Sequence, residues 1–314
     1  MPKTLCIYPP DLDVKDCFGC ILSYRIVFGI MCLMYWEKEV RKYKELPEEW
    51  YFRDTGVFRA NFENGVEITG VSANSWEDYL EHLYRVRSSD KYVVSPELIT
   101  CAGMNFEDLV KNESLINERI EEVAVLSKKY VDTYFLLGTP LFVNERPRNS
   151  VLVIKSGEIV SATNKRHGAT DEENGFFEMV PEEVPLLLPQ TKVAVVICSD
   201  FGLASLYAGC ESELVDEVLR VSGKTDLAGK DVCVLPENVE SVLLISCWGV
   251  GSKYVEEGEQ DQYYKNQLMS IAWRIMKGSK VKDVIVVDRV PTNLSEELMK
   301  VTPTKPYNGV IRSR

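Results

Sequence analysis

From about residue 65 onward the chain alternates short apolar runs with amphipathic segments. Residues 66–73 (VEITGVSA) and 92–95 (YVVS) have the pattern of β-strands. Between them, residues 75–86 repeat apolar side chains at helical spacing, behind a serine cap and two acidic residues in the first turn. A strand, a helix and a second strand in this order predict a parallel strand pair with a crossover helix.

The same alternation continues toward the carboxyl end. Strands are predicted at residues 134–142, 151–154, 159–163, 192–197, 241–246 and 284–287, and helices at residues 115–131, 203–208, 212–221 and 262–276. Residues 306–311 are the only candidate for a closing strand. Because no repeat or low-complexity linker interrupts this order, residues 65–314 are expected to form one α/β domain, preceded by an N-terminal extension of unknown role, residues 1–64.

Residues 17–36 (CFGCILSYRIVFGIMCLMYW) are almost wholly apolar and long enough to span a bilayer. The central Arg25 and two glycines argue against a helix that faces lipid, and favour a buried segment or an oligomer contact; a membrane span is the alternative. Cys17 and Cys20 form half of a zinc or redox motif, without a convincing second half. The first ten residues lack the pattern of a signal peptide.

Charge and cysteine content restrict the partners and the compartment. The chain has 314 residues, with 36 basic against 48 acidic side chains and a net charge of −12, so it is expected to repel nucleic acids. Its nine cysteines are odd in number and irregularly spaced, and several lie in apolar runs. This pattern favours the reducing cytoplasm over a disulfide framework.

Three predicted strand ends carry a reactive or charged side chain. Glu97 follows YVVSP, Lys165 follows EIVSATN and Cys198 follows VAVVI. Strand ends in α/β folds project side chains into the cleft. Taken one at a time, Glu97 and Lys165 would be interpreted as solvated loop residues and Cys198 as part of the core. Together they match a nucleophile, a base and an oxyanion-stabilising cation.

The turn after the strand of Cys198 favours a thiolate, because backbone N–H groups and a helix N-terminus lower the pKa of a nearby thiol. A cysteine–histidine pair is nearly excluded, since the chain has only His82, in the crossover helix, and His167. Glu97 is therefore the candidate base, which takes the thiol proton and later activates water.

These motifs resemble the nitrilase, or carbon–nitrogen hydrolase, superfamily over roughly residues 65–290. Residues 136–167 (LLGTPLFVNERPRNSVLVIKSGEIVSATNKRH) carry the family's order of short motifs, and residues 196–200 (VICSD) and 95–97 (SPE) resemble its nucleophile turn and its Pro-Glu. Residues 244–248 (LISCW) resemble the strand that follows. Within the first stretch the matching positions are Gly138, Asn149, Ser150, Gly157, Lys165 and His167.

The resemblance implies a four-layer αββα sandwich, usually built as a dimer, and a reaction without metal or organic cofactor. It implies Glu97 as base, Lys165 as oxyanion stabiliser and Cys198 as the nucleophile that is acylated by a small amide, nitrile or N-carbamoyl substrate. A second glutamate is expected after the lysine, and Glu173 is preferred to Glu172. The same resemblance places two residues beside the substrate: Trp248, as pocket lining or as packing, and Asp200, as a substrate contact or as the group that orients the nucleophile turn.

Some features depart from the family pattern. Gly168 stands where an apolar residue is usual, and residues near 210–238 read as an insertion that could cover the cleft. The rival hypothesis is a catalytically silent nitrilase-like protein that binds a metabolite or a partner, with the extension serving assembly. A third hypothesis, a redox thiol protein, requires Cys17 and Cys20 near Cys198. The matched set of base, lysine and nucleophile favours the enzyme.

Overall fold

Two β-sheets form the centre of the computed structural model, which describes residues 55–143, 146–209, 215–216, 219–220, 233–247, 258–292, 294 and 296–312. The first sheet has the order β1-β2-β3-β4-β5-β6. Its strands are Gly56–Asn61, Glu67–Ser72, Tyr92–Val94, Tyr134–Val143, Arg146–Lys155 and Glu158–Asn164. Strands β2, β3 and β4 run parallel, and the other neighbours are antiparallel.

The second sheet has the order β10-β9-β8-β7. Its strands are β7 Val193–Ile197, β8 Ser241–Ile245, β9 Asp283–Val287 and β10 Gly309–Arg312. Strands β7, β8 and β9 are parallel, and β10 pairs antiparallel with β9. Because every residue of β7, β8 and β9 is buried, these strands have the continuous apolar sequences that two covered faces require.

Helices cover the outer face of each sheet. The helices are α1 Trp76–Leu83, α2 Phe106–Lys111, α3 Glu113–Ser127, α4 Asp171–Phe176, α5 Asp200–Gly209, α6 Gln260–Gly278 and α7 Glu296–Met299. Apolar side chains of α1 and α3 pack on the first sheet, and those of α5 and α6 share a core with the second.

The alternation of side chains along the strands produces the layers. In β4, Leu136 faces the second sheet, whereas Phe135 and Leu137 face the helices. In β5, Val151 and Val153 likewise face the second sheet. With one face of each sheet buried against the other sheet and the opposite face buried under helices, the fold is the four-layer αββα sandwich expected from the resemblance.

Most predicted elements are confirmed, including the parallel pair β2–β3 and the closing strand β10. Three assignments change. The segment assigned to the extension contributes an edge strand, Gly56–Asn61, so the sheet begins before residue 65. Strand β5 begins at Arg146, five residues before its apolar run. The short helices α2 and α4 were not predicted, because six residues are too few to show a helical period.

Several predictions lie outside the described residues. These are the apolar stretch 17–36, most of the predicted helix 212–221 and of the insertion near 210–238, and Trp248. No helix within the described ranges combines the length and the apolar character needed to cross a membrane.

Candidate active site

Both sheets supply residues to one buried site. Cys198 directly follows β7 of the second sheet, and Lys165 directly follows β6 of the first. Glu97 follows β3 by three residues, and its backbone N–H donates to the Ser246 carbonyl, 3.3 Å away, at the end of β8. The structure therefore brings together the three side chains that the sequence placed at separate strand ends.

Lys165 is bound by two carboxylates. Its Nζ lies 2.8 Å from Oε1 of Glu97 and 2.6 Å from Oε1 of Glu173. The lysine and glutamate side chains are at most 9% exposed. A buried charge is tolerated when it is paired and hydrogen-bonded, and here each partner supplies that compensation to the others.

Glu97 is held at both of its carboxylate oxygens. Asn149 Nδ2 donates to Oε1 at 2.7 Å, and the backbone N–H of Cys247 donates to Oε2 at 2.8 Å. The same Asn149 nitrogen also lies 3.2 Å from Oε1 of Glu173. Sequence reasoning did not give Asn149 a role, although the Asn-Ser motif that contains it was one of the signals of the resemblance. Its amide links the two glutamates.

Helix α4 brings Glu173, not Glu172, to the lysine. Thr170 caps this helix and accepts from the Glu173 N–H at 3.1 Å. Oε2 of Glu173 accepts from the N–H of Ala169 at 2.7 Å. Glu172 is exposed, whereas Glu173 is buried. The sequence alone offered little reason to choose between Glu172 and Glu173. The start of helix α4 at the Thr170 cap places Glu173 beside Lys165.

Cys198 occupies a strained turn between β7 and α5. Its φ of 44° is in the left-handed region, which is unfavourable for a residue with a side chain. Its N–H donates to the Ile245 carbonyl at 2.9 Å, which extends the β7–β8 pairing by one residue, and helix α5 begins two residues later, at Asp200. This turn places Cys198 at the end of β7, beside the N-terminus of α5.

The pKa of Cys198 differs from the expectation drawn from the sequence. Burial, reinforced by Glu97, raises the pKa of the Cys198 thiol well above its ordinary value although Lys165 acts in the opposite direction. The sequence had predicted a lowered pKa; this was wrong because desolvation outweighs the favourable turn. Burial alone would lower the pKa of Lys165, but Cys198, Glu173 and Glu97 raise it well above its usual value. The resting site thus holds a neutral thiol and an ammonium group.

The carboxylate of Glu173 is the second negative group beside Lys165. Burial alone would raise its pKa, but the Lys165 ammonium and the hydrogen bonds from Ala169 and Asn149 outweigh burial and lower it. Glu173 is therefore ionised at neutral pH.

Asp200 connects the lysine turn to the nucleophile turn. Its oxygens accept from the N–H groups of Arg166 and His167 at 3.0–3.1 Å and from Arg166 Nη1 at 3.2 Å. The side chain is fully buried, and burial raises its pKa to about 6 against the effect of Arg166. These contacts occupy both oxygens, so we assign Asp200 to positioning of the turns and not to substrate binding. Ser199 adds a hydrogen bond from its hydroxyl to the His167 carbonyl.

No group of three or more histidine, cysteine, aspartate or glutamate side chains among the described residues is arranged to hold a metal ion.

Comparison with known proteins identifies the fold. No protein-family model and no curated protein sequence matches the chain. Among solved structures, a carbon–nitrogen hydrolase from Helicobacter pylori G27 matches with a TM-score of 0.50 and 16% identity, over 78% of this chain and 80% of that one. A carbon–nitrogen hydrolase superfamily protein from Xanthomonas campestris, whose structure carries an arsenic adduct in its active site, gives a TM-score of 0.48 and 13% identity, over 78% and 88% of the two chains.

The glutamine-dependent NAD+ synthetase from Acinetobacter baumannii matches at a TM-score of 0.42 and 20% identity, over 68% of this chain. The chain spans only about a third (34%) of that synthetase. The likeness to the Helicobacter protein, with the layers described above, shows that the chain has the fold of the carbon–nitrogen hydrolases.

Proposed function

We propose that this chain, with the fold of the carbon–nitrogen hydrolases, is a thiol amidohydrolase that cleaves a non-peptide C–N bond of a small molecule. The observation that carries the proposal is the buried Lys165 ammonium bound to both Glu97 and Glu173, close enough to Cys198 to favour the ionised form of its thiol. A base, a cation and a thiol that follow strands of the two sheets are the groups that acyl transfer requires.

In the acylation step, Cys198 Sγ attacks the substrate carbonyl carbon while its proton passes to the Glu97 carboxylate. The neutral resting thiol makes this base necessary. The C=O electron pair moves to the oxygen, whose negative charge is stabilised by the Lys165 ammonium. When the C=O bond re-forms, the C–N bond breaks and the leaving nitrogen takes the proton from Glu97, which leaves a thioester.

In the deacylation step, Glu97 takes a proton from water as its oxygen attacks the thioester carbon. Collapse of the second tetrahedral intermediate breaks the C–S bond, and the sulfur recovers the proton from Glu97. Glu173 and Asn149 touch neither reacting atom in this scheme; they hold Lys165 and Glu97 in place. This scheme accounts for the hydrolysis of a primary amide, of an N-carbamoyl compound, or of a nitrile with one additional water.

The proposal is tested by intact-mass analysis after incubation with amides, N-carbamoyl compounds and nitriles. We expect a mass increase that corresponds to an acyl group in wild type and none in Cys198→Ala. In Glu97→Gln the adduct should form much more slowly than in wild type, because Glu97 is the base that takes the proton of the neutral Cys198 thiol. Turnover by Glu97→Gln should fall by about 10²- to 10⁴-fold, the usual contribution of a general base. If wild type forms no adduct and Cys198 does not react with iodoacetamide, the rival hypothesis of a silent binding protein is preferred.

We also propose a cytoplasmic location and a homodimer. The cysteines that the structure describes, Cys101, Cys198, Cys233 and Cys247, are all free, which supports a reducing compartment. The dimer follows from the family resemblance alone. Light scattering on the purified full chain measures it, and a monomeric mass over the micromolar range would contradict it.

A further inference from the structure

Arg289 lies beside the proposed catalytic groups and has no part in the mechanism above. The strand ends of the second sheet form a row, because Ile197 of β7 pairs with Ile245 of β8, which pairs with Val287 of β9. Cys198 follows the first of these positions by one residue. Cys247 and Arg289 follow the other two by two residues each. Cys198 and Arg289 thus follow the carboxyl ends of β7 and β9, which are two strands apart and end at the same side of the sheet.

The Arg289 guanidinium is nearly buried but only partly bonded. The residue is 6% exposed, and its Nε donates to the backbone carbonyl of Glu97 at 2.7 Å. Within the described part of the chain, no carboxylate oxygen lies within ion-pair distance of it, and its two Nη groups make no hydrogen bond. The adjacent Asp288 is engaged elsewhere, with the Ser246 hydroxyl at 2.7 Å and the Tyr307 N–H at 2.9 Å.

The backbone is held by a hydrogen bond on each side of Arg289. The Asp288 carbonyl accepts from the Ser72 hydroxyl at 2.6 Å, and the Val290 N–H donates to the Asn74 side chain at 3.1 Å. These bonds join the segment around Arg289 to the end of β2 in the first sheet. Burial raises the pKa of the Cys247 thiol to about 12, and the charge of Arg289 is the main influence that opposes it, which places that charge next to Cys247.

We propose that Arg289 binds a carboxylate of the substrate, so that the substrate class is an amide or related C–N compound with a carboxylate a few bonds from the scissile carbon. This inference rests on the proposed function. A buried cation without a nearby anion is costly, and an incoming carboxylate would remove that cost. The two Nη groups present the planar fork that binds carboxylates with two hydrogen bonds.

The spacing of the strands limits the length of the substrate. Neighbouring strands lie about 4.8 Å apart, so the backbones of β7 and β9 are separated by about 10 Å. This separation sets the scale of the substrate, and probes with about two to four methylene groups between the carboxylate and the carbonyl carbon test it. Arg289 could bind a carboxylate on the acyl part of the substrate or on its leaving group. The two sets of probes in the experiment distinguish these substrates.

The test compares anionic with neutral substrates of equal length. The acyl-side probes are the monoamides of succinic, glutaric and adipic acids, paired with butyramide, valeramide and hexanamide. The leaving-group probes are N-acetylglycine and N-carbamoylglycine, paired with their glycine amides. In wild type we expect kcat/KM to favour the anionic member of at least one set. In Arg289→Gln that preference, the ratio of kcat/KM for the anionic substrate to kcat/KM for its neutral partner, should fall by about 10- to 100-fold. The loss of the bond from Nε to the Glu97 carbonyl affects both substrates and cancels in this ratio.

Arg119→Gln is the matched control. Arg119 Nη1 donates to the Thr100 carbonyl at 2.5 Å, so it supports the same chain segment as Arg289, three residues beyond Glu97. A preference that is lost in both variants, or kept in Arg289→Gln, overturns the anion site. If Arg289→Gln does not fold, Arg289→Lys keeps a cation without the fork and should lose part of the preference; an unchanged preference in that variant also overturns the site.

A binding measurement separates this inference from the proposed function. Succinate, glutarate and N-acetylglycine should raise the Tm of Cys198→Ala, and this rise should disappear when Arg289→Gln is added. If Tm rises in this way but wild type forms no acyl adduct, the anion site stands and the hydrolase does not. If an adduct forms from neutral and anionic amides alike and no carboxylate changes Tm, the hydrolase stands and the anion site is wrong.

Discussion

At the scale of single residues, the proposed site is a balance of three buried charges around a neutral thiol. Glu97 and Glu173 contribute two negative charges and Lys165 one positive charge. Ionisation of Cys198 would add a second net negative charge to a buried site, so burial and Glu97 keep the pKa of the thiol high. In the proposed mechanism the thiol loses its proton only during attack, when Glu97 receives it.

The backbone of Cys198 gives a residue-scale prediction about stability. Because its φ of 44° is favourable for glycine and strained for other residues, Cys198→Gly should be more stable than Cys198→Ala by about 1 kcal/mol. Both variants lose the sulfur, so the comparison isolates the backbone. Urea unfolding followed by circular dichroism measures the difference. An alanine variant as stable as the glycine variant would show that the turn is not strained.

At the scale of elements, strand β4 supports the turn that carries Glu97. The Gly138 N–H donates to the Ser95 hydroxyl at 2.8 Å, and the Ser95 N–H donates to the Leu136 carbonyl at 2.9 Å. A Cβ atom on Gly138 would lie 2.2 Å from the Pro96 carbonyl oxygen and 2.9 Å from the Cα of Glu97. Glycine is therefore required here by the close approach of backbone to backbone.

Gly138→Ala should displace the Glu97 turn. We expect a loss of about 1–3 kcal/mol in the free energy of unfolding, as for other overpacked sites, and a fall in kcat/KM of about 100-fold from misplacement of the base. Gly175→Ala is the control, because Gly175 is a helical, exposed position where a Cβ would meet no atom within 4 Å. That variant should match wild type or gain up to about 1 kcal/mol. Equal behaviour of the two variants would contradict the steric argument.

The elements that the sequence could predict are those with a sustained period. Strands β7, β8 and β9 are continuous apolar runs, so the strand end that carries Cys198 could be located. Glu97 and Lys165 follow strands of the other sheet, and their convergence with Cys198 was expected from the family resemblance. Strand β1 (GVFRAN) was missed because its polar residues and short length obscure the period. The roles of Asn149 and Arg289 depend on which side chains face each other across layers, and no local pattern encodes that.

At the scale of the whole molecule, ion pairs attach the edge strand β1 to the rest of the first sheet. Arg59 binds both oxygens of Asp90, at 3.0 and 2.7 Å, and the Arg87 N–H donates to the same carboxylate at 2.8 Å. Burial alone would raise the pKa of Asp90, but the hydrogen bonds from Arg59 and Arg87 outweigh burial and lower it. The ion pair thus links global stability to pH.

Asp90→Asn should lower the free energy of unfolding by about 2–3 kcal/mol at pH 7. A carboxyl group whose pKa is lower in the folded state stabilises the protein above its unfolded pKa, about 3.9, and loses this effect as pH falls through the folded pKa. The difference in free energy of unfolding between wild type and Asp90→Asn, measured by urea titration, should therefore become smaller below about pH 4. Glu81→Gln, which breaks the exposed pair with Arg85, serves as control and should change stability by less than about 0.5 kcal/mol.

The origin of the site in two sheets has a consequence for partly folded forms of the chain. Glu97 and Lys165 follow strands of the first sheet and Glu173 lies on helix α4, which comes after β6, whereas Cys198 follows a strand of the second sheet. A chain whose first sheet has formed alone carries a carboxylate–ammonium cluster without a nucleophile, and a chain whose second sheet has formed alone carries a thiol without a base. Hydrolysis of a substrate therefore requires that the two sheets have packed together. During refolding, substrate turnover should appear only when the fully packed protein has formed.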